Sequence, residues 1–551
     1  MTTAAAAFLA ACGGGDDDDE GPEPTQSGTG AVLDPAQGKQ GGKLVWQGFG
    51  DVGGNLDMIG FGDYSLRQFS GLTHDGLLET RSGTPAFPGA DKGMQPNLAV
   101  ALPEQSPDQL SYTFKLKDAT FHDGTPVTAE DVKWSFETLA GPDSAWGFVF
   151  WWLDSVEATD AKTVVVKTAF PFADALQHMG PAGLGVGEVM SKAFQSGPNA
   201  TEKLMGSGPY LFDSYSPPTQ ATFKRNPNYH TKPYPYFDEI VRTGDADPEK
   251  KIADVIGKNV QFTYWYDEAS RDRILQARPD LQKWKYDAAA GAISMRTDKA
   301  PWNDVRVRRA LSMAIDRESV AQATALGEGR ADQFLSWTGT YWGFREPKDL
   351  GESAQYWEHN LDEARKLLDA AGVELPIKIE VPHWNATVIG PAWVEQFTLI
   401  KTGWRNAGLV DATSIEMTHP QIASGAWIGN YDDMTWFPNV VGGQAQIGMW
   451  LTMQLSWAGQ PHQPPTVNRS YVDNPALDAL LTTQMGQFNK EERIATFRQI
   501  EDILASEQYA IINHTWTNNW FADPSLKNVQ PGQEAYQGSL NYIKYWWFDN
   551  A

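Results

Sequence analysis

Phe121-His-Asp-Gly-Thr-Pro-Val-Thr-Ala-Glu-Asp-Val-Lys-Trp-Ser-Phe136 is the stretch from which the fold is most readily read. Its first half is a tight turn, because Asp123-Gly124 is a pair that tolerates positive φ at little cost. Its second half opens a helix. Thr128 and Asp131 are spaced as a capping box, and Val132, Phe136 and Leu139 follow at helical period. Upstream, Tyr112, Phe114 and Leu116 alternate with polar residues and read as a half-buried strand; downstream, Lys162–Thr168 is a β-branched run. Strand, turn, helix and strand in succession give a mixed α/β class.

The same grammar extends both ways. Lys43-Leu-Val-Trp-Gln-Gly-Phe49, bounded by glycines, reads as the first strand. Asp304 caps a helix that turns Val305, Val307, Ala310, Leu311 and Ile315 inward. Asn360 caps another, with Glu363 at its third position and Gly372 at its end. Ile494, Phe497, Ile500 and Leu504 line one helix face. No internal repeat recurs at a solenoid period. With 551 residues, 41% hydrophobic and 21% charged, the chain has material for more than one lobe. A net charge of −25 repels phosphate backbones, and no Lys/Arg cluster offsets it, so nucleic acid is not expected as a partner. No run of about 18 apolar residues offers a membrane span.

The first twelve residues are small and apolar and end at the single cysteine, Cys12. Leu9-Ala-Ala-Cys12 resembles the bacterial lipobox, so Cys12 is expected to carry lipid. A signal opens with positive charge, and none stands before Lys39, so the recorded start is expected to be truncated. Residues 13–42, rich in Gly, Asp, Pro, Ser and Gln, read as a disordered tether. Anchor and tether place the globule in the periplasm or on the extracytoplasmic face of the cell membrane, touching that membrane only through the lipid.

Four stretches together resemble solute-binding family 5, the large receptors of dipeptide, oligopeptide and nickel ABC importers. They are Phe121–Phe136; Gly206-Ser-Gly-Pro-Tyr210 with Lys224-Arg-Asn-Pro-Asn-Tyr229; Pro301-Trp-Asn-Asp-Val-Arg-Val-Arg-Arg-Ala310 running into Ala314-Ile-Asp-Arg317; and Leu72–Glu79 with Gln95-Pro-Asn-Leu98. The resemblance implies a two-lobed periplasmic-binding-protein type II (Venus flytrap) fold with an extra subdomain in lobe I. Lobe I would hold residues 43–70, 206–297 and 514–551, the inserted subdomain 71–205, and lobe II 298–513. Hinge crossings would fall near Ser294–Ala300 and Ile512–Trp516. It also implies a monomer that delivers a small molecule to ABC permease subunits.

Enzyme signatures are missing. Gly38-Lys-Gln-Gly-Gly-Lys43 has the wrong spacing for a phosphate loop and ends in Leu44. Gly206-Ser207-Gly208 is too tight for a nucleophile elbow. Nine dispersed histidines and one cysteine outside the fold give no metal motif, and His383 and His514 read as structural before they read as pocket residues. No catalysis, cofactor or metal is expected. A secreted hydrolase is the alternative from another class, and a sensory receptor shares the binding chemistry.

The ligand must therefore be inferred from the residues available to a cleft. Tryptophans number 22 against 18 tyrosines, and several sit in polar, Gly- or Pro-containing stretches: Trp146, Trp151, Trp152, Trp337, Trp342, Trp384 and Trp436. Trp146 follows the helix where peptide-binding family members put an aromatic residue into the cleft. Those members also hold the peptide ammonium with an aspartate, whose counterpart would lie in Gly425–Gly459. From Met434 to Val472 there is no acidic residue, leaving Asp432, Asp433 or, in another register, Asn430. Indole faces with neutral amides suit a neutral oligosaccharide; a peptide is the alternative. The expected ligand-binding set is Trp146, Trp337, Trp384, Trp436, Asn439, Tyr64, Trp265 and Trp516.

Overall fold

The computed structural model describes residues 34–48, 54–61, 64–80, 94–180, 186–217, 219–244, 247–328, 345–386, 390–418, 421–422, 424–426, 429–439, 468–529 and 541–550. Cys12, Trp337, Trp342 and the expected tether up to residue 33 lie outside them.

Strand β1 (Lys43–Gln47) buries Leu44 and Trp46 on one face. Helix α1 (Tyr64–Thr73) and the paired strands β2 (Leu78–Thr80) and β3 (Met94–Pro96) follow. A separate antiparallel sheet of β4 (Glu104–Gln105), β5 (Ser111–Lys115), β6 (Leu153–Asp160) and β7 (Thr163–Thr168) then forms in the order β4-β5-β7-β6. Helix α2 (Ala129–Leu139) packs on it through Val132, Phe136 and Leu139. The turn and cap act as their residue types require. Gly124 has φ +87°, the Asp123 carboxylate accepts from the Thr125 N–H at 2.9 Å, and Asp131 accepts from the Thr128 N–H at 3.0 Å and its hydroxyl at 2.7 Å.

Apart from a short antiparallel pair, Leu526–Lys527 with Trp547–Phe548, the remaining described strands are β8 (Tyr210–Ser216), β9 (Gln220–Arg225), β10 (Glu239–Thr243), β11 (Phe262–Tyr266), β12 (Gln282–Met295), β13 (Ile377–Trp384), β14 (Val410–Met417), β15 (Met434–Asn439) and β16 (Ala510–Ala522). With β1 they make a ten-stranded sheet in the order β14-β13-β15-β12-β16-β11-β1-β10-β9-β8. Two large cores are centred on its two halves, and the first extends into the later helices through Leu477, Leu481, Phe497 and Leu504. One gathers β1, α1, the inserted sheet and the C-terminal aromatics Trp520 and Trp546. The other gathers Trp302, Val307, Leu311, Trp393, Phe397, Trp404 and Trp436. β12 and β16 alone belong to both halves, pairing antiparallel from Gln282↔Ala522 to Ser294↔Ala510.

Three of the four stretches that carry the family resemblance converge on one place. The Gly208 N–H donates to Thr73 O at 2.9 Å, and the His122 N–H to Gly206 O at 2.8 Å. Asn226 Nδ2 donates to Gly208 O at 3.0 Å. Beside them the buried Asp75 carboxylate accepts from Asn97 Nδ2 at 2.8 Å and meets His230 Nε2 at 2.9 Å. Burial alone would raise this carboxyl, but the His230 bond, the Lys544 charge and the Asn97 amide outweigh it and hold it below the ordinary carboxylate value. Thr73, His122, Gly206, Gly208 and Asn226 are therefore tied into one packed knot.

The knot explains its glycines. A Cβ on Gly208 would lie 2.5 Å from the Thr73 carbonyl carbon and 2.7 Å from the His74 nitrogen, both rigid backbone. Gly208→Ala should cost about 1–3 kcal/mol of overpacking. Ser207→Ala, which removes a buried hydroxyl with no partner among the described residues, should be neutral or stabilising. Urea unfolding of the two variants checks this contrast.

Candidate ligand site at the strand crossing

Between the two halves, β12 keeps β16 on one edge and gains a neighbour on the other. Up to Asp287 it faces β16 where β16 also pairs with β11; from Ala290 onward it pairs with β15, starting at Ala290↔Asn439. Register shifts mark both steps, Asp287 to Ala290 and Ala290 to Ala292. Irregularities of this kind bend a strand and re-aim its side chains. The change comes before Ser294–Ala300, where a crossing is expected from the resemblance. On β16 it falls at Thr515–Thr517, within the expected Ile512–Trp516 stretch or next to it.

The backbone brings three of the expected residues to this place. Asn439 pairs with Ala290, Trp516 lies between Thr515 and Thr517 on β16, and Trp265 lies on β11 between Thr263 and Tyr266, which pair with Phe521 and Asn519. Tyr64 opens α1. The other described residues are held within the lobes. Trp146 is 1% exposed, with the Arg67 guanidinium 4.3 Å from its ring centre. Trp436 is 0% exposed and packs against Trp393 at 5.1 Å and Phe397 at 5.6 Å. Trp384 is buried with Ile422, Ala426 and Tyr431.

On the lobe II side, polar groups collect around His514. Gln396 Nε2 lies 3.0 Å from its Nδ1, and Asn513 Nδ2 lies 3.0 Å from the same nitrogen. Burial, with the Arg317 charge adding to it, pushes this imidazole down to about 3, so it is neutral at pH 7. The oxygens Gln396 Oε1 and Asn513 Oδ1 are buried and have no hydrogen-bond partner among the described residues. Arg317 donates to Ile512 O at 2.9 Å, Ser312 O at 3.0 Å, Ser312 Oγ at 2.8 Å and Trp357 O at 3.3 Å, all uncharged acceptors. Gly291 closes the arrangement, since a Cβ there would stand 2.1 Å from Gln396 Oε1 and 2.2 Å from the Trp436 ring.

Sequence reasoning overlooks Gln396, Asn513, Arg317 and Gly291. Gln396 carries a legible signal, since it interrupts the buried stripe Trp393, Phe397, Ile400 and Trp404 of the helix Pro391–Asn406. A polar residue inside an apolar stripe is an informative departure. The candidate aspartates lie elsewhere: Asp433 accepts from Trp302 Nε1 at 3.0 Å, and Asp432 is exposed, as is Asn430. Among the described residues no group of three His, Cys, Asp or Glu could hold a metal ion, and no helix is long and apolar enough to cross a membrane.

The profile of the bacterial extracellular solute-binding proteins, family 5 (middle), matches residues 93–474. The chain belongs to this family. As a family 5 protein it is 26% identical over 284 residues to a putative ABC transporter peptide-binding protein of Brucella ovis, a match covering 49% of this chain and 50% of that protein. The chain thus spans about half the length of the first curated relatives it matches. Over a longer span, it is 24% identical to heme-binding protein A of Haemophilus influenzae, covering 76% of this chain and 79% of that one. Among solved structures, AgaA of A. tumefaciens R10 in complex with agropinic acid superposes with TM-score 0.78 at 20% identity, over 92% of this chain and 99% of that one. DppA of Helicobacter pylori, in complex with the peptide STSA, superposes with TM-score 0.77 at 19% identity, over 93% and 99%. The fold is the two-lobed type II periplasmic-binding-protein fold, with β12 and β16 as its continuous connections.

Proposed function

We propose that this family 5 protein is the substrate-binding component of an ABC importer, that it holds a neutral, hydroxyl-rich ligand between its lobes, an oligosaccharide first of all, and that it catalyses no reaction. The supporting observation is the chemistry at the strand crossing. A ligand ammonium closed into a cleft needs a counter-charge, because an unpaired buried charge costs several kcal/mol. The groups around His514 are carboxamides, a neutral imidazole and a guanidinium bonded to uncharged oxygens. Of the two aspartates in the stretch Gly425–Gly459, Asp433 accepts from Trp302 Nε1 and Asp432 is exposed. Carboxamide oxygens that meet no donor among the described residues favour a guest that supplies O–H donors. On this reading Trp265, Trp516 and Asn439, whose backbone lies at the crossing, are the first candidates for ligand contact.

A peptide is the second reading, favoured by the likeness to the putative peptide-binding protein of Brucella ovis and to the peptide complex of H. pylori DppA. Either ligand acts by population shift: it touches both lobes only when they close, so it favours the closed form by that difference in affinity. Lipidation at Cys12, an extracytoplasmic location, a monomeric state and delivery to a permease complete the proposal. A thermal-shift screen over neutral oligosaccharides, free-amine peptides and small aromatic solutes is the first test. A glycan at about 100 times its Kd should add about 2.7 kcal/mol of stability and raise the melting temperature; stabilisation by peptides alone would replace the first reading with the second.

A further inference from the structure

Away from the crossing, the inserted subdomain and lobe II meet at a second place. Residues 170–174 follow β7, the last strand of the four-stranded sheet. The helices Pro475–Met485 and Lys490–Glu507 belong to lobe II: Arg308, on the helix Val305–Met313, donates through Nε to Glu507 O at 2.7 Å, and Arg309 Nε donates to Ser506 O at 2.8 Å. The two meet through a bidentate ion pair. Arg493 Nη1 and Nη2 each lie 2.7 Å from one oxygen of Asp174, with side-chain exposures of 3% and 0%. Gln484 Oε1 accepts from Arg493 Nη2 at 2.9 Å and from Nε at 3.1 Å. The Ala173 N–H donates to Met485 O at 2.8 Å. Around these bonds Phe172, Leu477, Leu481, Met485 and Phe497 belong to one continuous apolar cluster.

We propose that Asp174, Arg493 and Gln484 form an inter-lobe clasp that holds the closed form independently of ligand. A two-lobed receptor opens by rotation about its connecting strands, and segments far from those strands move apart furthest. When the lobes part, both charges regain water; when they close, the fork geometry of guanidinium on carboxylate admits only one registration. The pair therefore fixes how the lobes meet, and it sets part of the closed population before any ligand binds. The inference takes from the proposed function only the opening of the lobes. Its test needs no ligand, so its failure is distinguishable from failure of the ligand assignment.

The experiment compares the full ligand-free chain with Asp174→Asn, a near-isosteric change, by hydrogen exchange and small-angle scattering. The Ala173 amide should exchange at least tenfold faster in the variant, the radius of gyration should rise, and exchange in Val164–Val166 and in Val307–Leu311 should be unchanged. The paired change Asp174→Leu with Arg493→Leu should return exchange toward the wild-type rate, because apolar replacement of both partners of a buried pair is often neutral. Unchanged exchange at Ala173 would overturn the clasp. So would faster exchange everywhere, which means loss of fold, and faster exchange at Ala173 without expansion, which means a local loop anchor.

Discussion

Lowering the pH from 7 to 4.5 should destabilise the folded chain by roughly 8 kcal/mol through three buried histidines. Burial pushes His74, His178 and His514 each down to about 3. In the unfolded chain an imidazole takes its proton near pH 6.5. Below that value the unfolded state binds protons that the folded state refuses, so the histidines' contribution is intact above about pH 6.5 and shrinks as pH falls toward 3. Each imidazole adds a slope of about 1.4 kcal/mol per pH unit, and three together about 4. Set against a typical domain stability of about 5–15 kcal/mol, this is enough to unfold a lobe. His178 gives the sharpest check. Both of its ring nitrogens are buried with no partner among the described residues, and its ring lies 5.6 Å from Phe172 and 5.9 Å from Trp152. His178→Phe should gain about 1 kcal/mol at pH 7 by removing an unsatisfied polar group, and should reduce the acid slope by about a third. Urea unfolding between pH 7 and 5 reads both effects; an unchanged slope in the variant would show that His178 does not contribute to it.

Truncating Trp146 to alanine should destabilise lobe I by about 3–5 kcal/mol, the usual range for losing a large buried aromatic. The indole does more than fill volume. It lies against the guanidinium of Arg67, which donates to both oxygens of Glu188 at 3.0 and 3.1 Å and to Met58 O at 3.3 Å. Ser70 Oγ completes the network, donating to Glu188 Oε1 at 2.7 Å. Removing the ring opens a cavity beside a buried ion pair and forfeits the attraction of cation for π face. Trp146→Phe should retain part of both. The measurement is denaturant unfolding of the two variants, with ligand affinity determined under conditions where each is folded. A Trp146→Ala protein of wild-type stability that no longer binds ligand would instead put this side chain in the cleft.

Trp146 also shows where the sequence is legible and where it stops. Periodicity, turn chemistry and capping residues identify β5, α2 and β7, because those signals are local and each is enforced by a few neighbouring residues. The family motifs give the fold, and the contacts of Gly206, Gly208 and Asn226 explain why: they describe a packed knot. Position in a Gly-containing, polar stretch, by contrast, says little about which way an indole turns. Trp146 and Trp436 are read from the sequence as cleft residues and lie in the cores of opposite lobes. The Asp174–Arg493 pair is invisible for a related reason, since 319 positions separate its members and nothing local to either predicts the other. The change of neighbours along β12 is likewise a long-range property, set by which strands pair with it.

Calorimetric titration of the purified chain at pH 7, with neutral oligosaccharides in one series and free-amine peptides in the other, tests the central claim most directly. An uncharged guest held at the crossing of β12 and β16 requires saturable, one-to-one binding of a glycan that weakens at least tenfold in Trp516→Ala. Tight binding of ordinary free-amine peptides with no heat from any glycan would contradict it.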